Sequence, residues 1–231
     1  MNKKLVLLGG VVIVLVVVLS LYILGRPETP QDIVIVDETG STSIDEPALR
    51  STIDQMPAGT LSDAEKDGIL YMREEEKLAH DVYLMLYAEW NLAIFDNIAR
   101  SEQTHMDAVK TLIDNYGLED PAVDAIGTFS NPELQELYDN LVDQGSNSLR
   151  DALEVGVAIE EIDILDLAEY MAETDNEDVT LVYENLMKGS RNHLQAFVST
   201  LEKQGFEYAP QYLSQEEYED IISSPVERGR Q

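Results

Sequence analysis

The spacing of its breaks most constrains what this chain can fold into. Four long stretches with apolar residues at three- and four-residue steps are separated by a short, a long and a short connection. Ser62 with Glu65 three positions later is a capping-box signature, and it opens a first helix that the periodicity carries to about Trp90-Asn91. A second runs from about Ala93 to Tyr116, with Gly117 placed as its stop. Pro121, Gly127 and Pro132 then break the pattern over residues 118–147, where Asn131-Pro132 starts a short helix to about Val142. A third long helix is expected from about Asn147 to Ala172 and a fourth from about Glu177 to Gln204, stopped by Gly205. Short links make antiparallel neighbours, and one long link can carry the chain back along a bundle. The expected fold class is therefore all-α, a four-helix bundle with one long crossover over residues 61–205. In the remainder, 206–231, Phe206, Tyr208 and Tyr212 should pack over one bundle end, with Ser214 capping a last turn or two through Ile222.

Two segments precede the bundle. Lys3 and Lys4 stand before an unbroken apolar run from Leu5 to Leu24, long enough to span a bilayer as a helix. No small-x-small cleavage site follows it, which favours an uncleaved anchor over residues 1–26 rather than a cleaved signal. The lysine bias puts the N-terminus inside and the rest of the chain outside the cytoplasm, as a single-pass membrane protein. Residues 27–60 carry Pro27, Pro30, Pro47 and Pro57 among Thr, Ser, Asp and Glu, and read as a flexible acidic tether. Within it, Ile33-Val34-Ile35-Val36 could form a small strand or a docking patch.

Composition excludes several functions. With 45 Asp+Glu against 15 Lys+Arg, the formal charge is -30, and such a field repels nucleic acid. It attracts cations, and it also suits a salt-adapted or simply very soluble surface. There are no cysteines, so disulfides, zinc ribbons and thiolate-held iron are out.

The residues that carry chemistry are polar ones in the wrong place for polar residues. Glu76 lies in phase with Ile69, Met72, Ala79, Tyr83 and Tyr87 on the first helix. Glu102 and His105 fall in phase with Ile94, Ile98, Val109 and Leu112 on the second. Glu160 and Asp163 follow Leu149, Leu153 and Gly156 and precede Leu167 and Met171 on the third; His193 sits among Val182, Leu186, Gly189, Phe197 and Leu201 on the fourth. Ionised groups buried without partners cost several kcal/mol each. A pair of divalent metal ions neutralises such a set most simply, and carboxylates with neutral imidazole suit iron or manganese. Each residue has an ordinary alternative. Glu76 sits inside Glu74-Glu75-Glu76, a run that should turn at least one carboxylate to solvent, and Glu75 competes with Glu76 for the inner position. Glu160 and Glu161 pose the same choice, His193 could be a satisfied core histidine, and His80 could stand behind the site or on the surface.

At these residues the sequence resembles the ferritin-like superfamily of di-iron carboxylate proteins. Glu76-Lys77-Leu78-Ala79-His80-Asp81-Val82-Tyr83 is similar to the first-helix motif of ferritins and rubrerythrins, and Ser101-Glu102-Gln103-Thr104-His105-Met106 to their second-helix Glu-x-x-His. More closely, residues 65–205 resemble an uncharacterised prokaryotic ferritin-like family. The segments that carry this are Arg73-Glu74-Glu75-Glu76-Lys77-Leu78-Ala79, Ser101 to Met106, Ile159-Glu160-Glu161-Ile162-Asp163-Ile164 and Gly189-Ser190-Arg191-Asn192-His193. The resemblance implies two iron ions, or manganese, held by Glu76, Glu102, His105, Glu160, Asp163 and His193. It also implies Tyr83, Glu75, Glu161 and Ser190 standing behind the ligands. Ser190 departs from the pattern, since a ferritin-like Glu-x-x-His would place Glu there. Asp163, one turn from Glu160, is the expected replacement for the missing oxygen.

The functional expectation is a membrane-anchored metal protein whose iron reacts with oxygen or peroxide. Its partners would be metal ions, the membrane through residues 5–24, an external electron donor for turnover and, as an option, a second copy in a homodimer. The alternative is a non-catalytic helical bundle that binds or scaffolds at the cell surface.

Overall fold

The computed structural model describes residues 33–36, 42–57 and 59–228. Among these, seven helices and two short strands form. The four long helices are α2 (Asp63–Trp90), α3 (Ala93–Tyr116), α5 (Leu149–Glu173) and α6 (Glu177–Lys203); between them lie α1 (Glu46–Ile53) before the first, α4 (Pro132–Gly145) in the long connection and α7 (Gln215–Ser223) near the end. The strands are β1 (Val34–Val36) and β2 (Thr42–Ile44).

Local chemistry fixes the helix ends. At the start of α2 the Ser62 hydroxyl accepts from the Glu65 amide at 3.1 Å while Glu65 accepts from the Ser62 amide at 2.7 Å, so the reciprocal capping box forms as expected. Asn91 ends this helix in the left-handed region, φ 48°, a conformation that asparagine tolerates better than most residues. Gly117 and Gly205, φ 63° and 83°, end α3 and close the last turn of α6. Ser148 caps α5, and α4 runs three residues past the expected Val142, to Gly145.

The short connections pair α2 with α3 and α5 with α6 as hairpins. The hairpins meet through α2 against α5 and α3 against α6, and α4 packs on both α2 and α5. The interior they enclose is lined by the middle of each expected stripe: Ile69, Met72, Leu112, Leu153, Leu167, Val182 and Leu186 are buried. Tyr87, Ile94, Leu149 and Met171, at the stripe ends, are only half-buried. An aromatic triad of Tyr83, Phe95 and Phe197, with centroid separations of 5.2–6.5 Å, fills one level of this core. Gly156 makes room for it, because a Cβ there would lie 2.6 Å from Phe197.

The expectation of an all-α fold led by a transmembrane helix is corrected on two counts. β1 and β2 pair antiparallel, Val34 opposite Ile44 and Val36 opposite Thr42, giving a small sheet. Among the described residues no helix is long and apolar enough to cross a membrane, since the long helices carry charged residues through their length. The anchor expected over residues 1–26 lies outside the described residues. The stretch expected to be a tether also contains structure. Ile33, Val34, Ile44, Leu49 and Ile53 are buried, β2 packs on α3 and α6, and α1 packs on α3. Five apolar residues are too few to fold alone, yet suffice once a helical surface is present to bury them.

Candidate metal centre

The run Arg73–Lys77 opens the site, and it breaks the rule that a charged run is a solvated face: all five residues are buried. Arg73 bonds Asp120 at 3.1 Å and the Met106 carbonyl at 3.1 Å, tying α2 to α3 and to the long connection. Glu74 accepts from the amides of Ser130 and Asn131, at 2.5 and 3.0 Å, where α4 begins. Lys77 pairs with Asp81, donates to the Ala125 carbonyl at 3.0 Å and lies over the Phe129 ring. None of the three glutamates therefore turns to solvent: the long connection folds over that face of α2 and supplies partners for Glu74, while Glu75 is buried without one. Glu76 remains, and it points at α3.

There it meets His105 and Glu102. His105 Nδ1 lies 3.3 Å from Glu76 Oε2 and 2.8 Å from Glu102 Oε2. The other Glu102 oxygen lies 2.8 Å from His193 Nδ1, which is 3.6 Å from Glu160 Oε2. Two groups result, Glu76–Glu102–His105 and Glu102–Glu160–His193, each offering three ligand atoms within 4.8 Å of one another. Glu102 belongs to both, one oxygen towards each. The two imidazoles stack at 5.4 Å, 20° from parallel. Although Glu102 Oε1 and His193 Nδ1 are close, neither completes a hydrogen bond, and Glu76 Oε1 also has no partner. Apart from the His105–Glu76 hydrogen bond, these buried atoms converge without completing bonds to one another, which fits a cation between them, and three-atom sets of carboxylate and imidazole suit a first-row divalent metal.

The surroundings fix the ligand geometry. Ser101 Oγ lies 2.9 Å from His193 Nε2, which leaves Nδ1 to face the carboxylates. Tyr83 donates to Glu160 Oε1 at 2.7 Å. His105 lies against Gly189, where a Cβ would sit 2.4 Å from its ring. Behind these, β2 and the chain end fasten the helices beside each histidine. The Ile44 amide donates to Thr104 Oγ1 at 2.9 Å, and the Asn192 amide group donates to Thr42 Oγ1 at 3.2 Å. Asn192 also exchanges hydrogen bonds with the Glu227 backbone at 2.9 and 3.1 Å.

Protons balance the charge of this cluster. Burial pushes Glu76 up to about 8 against the pull of His105. Burial also pushes Glu102 up, but His105 and His193 together hold it well below the usual carboxylate range. Burial alone would lower both imidazoles; Glu102 and Glu76 raise His105 well above its ordinary value, and Glu102 and Glu160 raise His193 to about 9. Glu160 is raised by burial, with His193 opposing. Each of those protons occupies a position that a metal ion would compete for.

Of the six expected ligands, Glu76, Glu102, His105, Glu160 and His193 come together, and Asp163 does not join either group. Asp163 is buried and accepts from Ser190 Oγ, which also lies 2.9 Å from the Leu186 carbonyl. Glu161 is turned away from the centre and accepts from the amides of Gln211 and Tyr212 at 2.9 and 2.6 Å. Glu75 is buried with both oxygens unpartnered. His80 bonds Asp81 at 2.8 Å, at the margin of the long connection. Sequence reasoning assigned no role to Ser101 or Gly189, although both stand four residues before a histidine of these groups, on its own helix face.

Comparison with known proteins bears on the family and the fold. A family profile described as an uncharacterized protein domain (DUF2202) matches residues 65–225. The chain is 58% identical over 178 residues to the uncharacterized protein MJ0754 of Methanocaldococcus jannaschii, covering 77% of this chain and 96% of that one. The crystal structure of that hypothetical protein superposes with a TM-score of 0.73, covering 75% of this chain and 99% of the other.

Proposed function

The chain belongs to the uncharacterised DUF2202 domain family, and from that premise and its buried centre we propose a dinuclear metal protein of ferritin-like kind. The observation that carries the reading is the position of Glu102, shared by two three-atom ligand groups with one oxygen towards each. A carboxylate with one oxygen towards each of two ligand groups is one that a pair of metal ions would share. The ions are iron or manganese, on the hardness of the donor set. Asp163, beside the centre and held by Ser190, is the reserve carboxylate that can swing to an ion in place of the glutamate that Ser190 lacks.

Iron bound here would supply one-electron chemistry and polarise the O–O bond of oxygen or peroxide. The chain's own part is to hold and shield. Ser101 sets the tautomer of His193, Tyr83 donates to Glu160, and Gly189 lets His105 approach. The Tyr83–Phe95–Phe197 triad closes one side against water. With no cysteine in the chain, turnover draws electrons from an external donor.

Metal analysis of the full-length protein after anaerobic loading with Fe(II) or Mn(II) tests this. Two ions per chain are expected for the wild type and loss of both for Glu102→Ala. A wild type that takes up neither metal, with a melting temperature indifferent to both, leaves the non-catalytic binding bundle as the correct reading.

A further inference from the structure

The ligands of the centre are buried, so an ion can reach them only along a route that side chains provide. Two helices offer one. On α2, Asp67, Tyr71 and Glu75 follow at four-residue steps; on α5, Tyr170, Asp166, Asp163 and Glu160 follow at steps of four, three and three. Each series therefore lies along one face of its helix, and the two helices pack together. Exposure falls inward along both: Asp67 is exposed, Tyr71, Tyr170 and Asp166 are half-buried, and Glu75, Asp163 and Glu160 are buried. The outer end opens into a surface cleft of about 270 Å³ whose lining includes Asp67, Tyr71, Glu74 and Tyr170. The Tyr71 and Tyr170 rings, 5.8 Å apart, both line this cleft. Burial, then Asp166 and Glu75, push the Tyr170 phenol up to about 12, and burial with the same two carboxylates raises Tyr71, so both rings lie in their field.

Glu75 is the anomaly on this path. It is 4% exposed, and neither of its carboxylate oxygens meets an amide or hydroxyl donor; the group it faces is the carboxyl of Asp166. Asp163 Oδ1 and the hydroxyl of Tyr183, a residue 1% exposed and within the field of Glu75, are also unpartnered. Leaving a buried polar group unpaired costs about 1–3 kcal/mol. The neighbouring Glu74, by contrast, has both oxygens occupied by backbone amides. Glu75 belongs to neither ligand group of the centre and, unlike Asp163, is not its reserve carboxylate, so the centre does not account for its free oxygens.

We propose that Glu75, with Asp163 and Asp166, is a transfer site for divalent metal cations on their way from the Tyr71–Tyr170 cleft to the centre. An ion drawn by the chain's acidic field enters the cleft, is taken by Asp166 and Glu75 as the two tyrosine rings part, and passes by Asp163 to Glu76. The proposal rests on the centre being a metal site. It assigns to a costly buried carboxylate a function in the rate of loading rather than in final occupancy.

Stopped-flow loading of the full chain with Co(II), followed by its visible absorption, tests it on wild type, Glu75→Gln and Asp166→Asn. Both variants should reach the wild-type stoichiometry, with loading slowed by about tenfold or more, within the range by which acidic clefts speed cation capture. Unchanged loading rates in both variants overturn the transfer site and leave the centre standing. A lower final stoichiometry in Glu75→Gln at an unchanged rate also overturns it, by making Glu75 a ligand of the centre. A wild type that takes up no Co(II) overturns both readings. Should Glu75→Gln not fold, the half-buried Asp166→Asn decides the question alone.

Discussion

Glu160 and Glu161 are adjacent, equally buried and opposite in purpose. Glu161 accepts on Oε2 from three successive backbone amides, Gln211 to Leu213, its Oε1 having no partner, and so pins the segment before α7 onto α5. Glu160 meets a tyrosine hydroxyl on one oxygen and only the His193 ring on the other. Glu74 and Glu76 repeat the division on α2, the first tied to two backbone amides and the second to the His105 ring. Burial alone thus says nothing of function. A carboxylate that finds N–H donors within the chain is a fastener, and one that finds only other ligands awaits something from outside.

Exchanging the members of a pair breaks or sharpens this division. Glu160→Ala should cost metal affinity by more than the roughly 10–100-fold typical of losing a hydrogen-bonding partner of a ligand, with the melting temperature of the unloaded protein held or raised. Glu161→Ala should do the reverse, lowering stability by about 3 kcal/mol in denaturant titration while metal stoichiometry stays at the wild-type value. Gly189→Ala comes next: its Cβ must displace His105, so affinity should fall together with a stability loss of about 1–3 kcal/mol. Ser101→Ala, which frees the far nitrogen of His193 without touching a ligand, should weaken metal binding by about tenfold, read by competition with a chelating dye.

The smallest expected effect is the most diagnostic of charge. Glu76, raised from 4.5 to about 8, and His193, raised from 6.5 to about 9, hold protons in the folded state that the unfolded chain releases. Stability of the unloaded protein from these groups is full below the unfolded values and is lost as pH rises through the folded ones. Thermal melts between pH 5 and 9 should therefore show a decline on the alkaline side. Metal binding expels the same protons, so affinity should climb over the same interval, and the two curves should cross. Parallel curves would place the titrating groups elsewhere.

Helix positions were legible in the sequence because caps and stops are local: Ser62, Gly117 and Gly205 act within a turn of themselves. The inner-facing Glu76, Glu102, His105, Glu160 and His193 were legible too, because phase along a helix is arithmetic. What could not be read is where a second surface arrives. Glu74 and Lys77 are buried only because residues 125–131 fold over α2, and Glu161 only because 211–213 cross α5. For the same reason the acidic stretch before the bundle looked unable to fold. Its few apolar side chains had no visible surface to meet until α3 and α6 were assembled.

The β1–β2 hairpin carries one more consequence. It holds Thr104 and Asn192, the immediate neighbours of His105 and His193, and Glu227 grips Asn192 from the other terminus. Yet both hairpin and Glu227 lie outside residues 65–225, the portion matched to the family. The portion matched to the family is therefore shorter than the unit that holds the two histidines. Cutting the gene at that portion's borders would remove the brackets that keep two imidazoles aligned, and a fragment so trimmed would misreport the affinity of the intact protein.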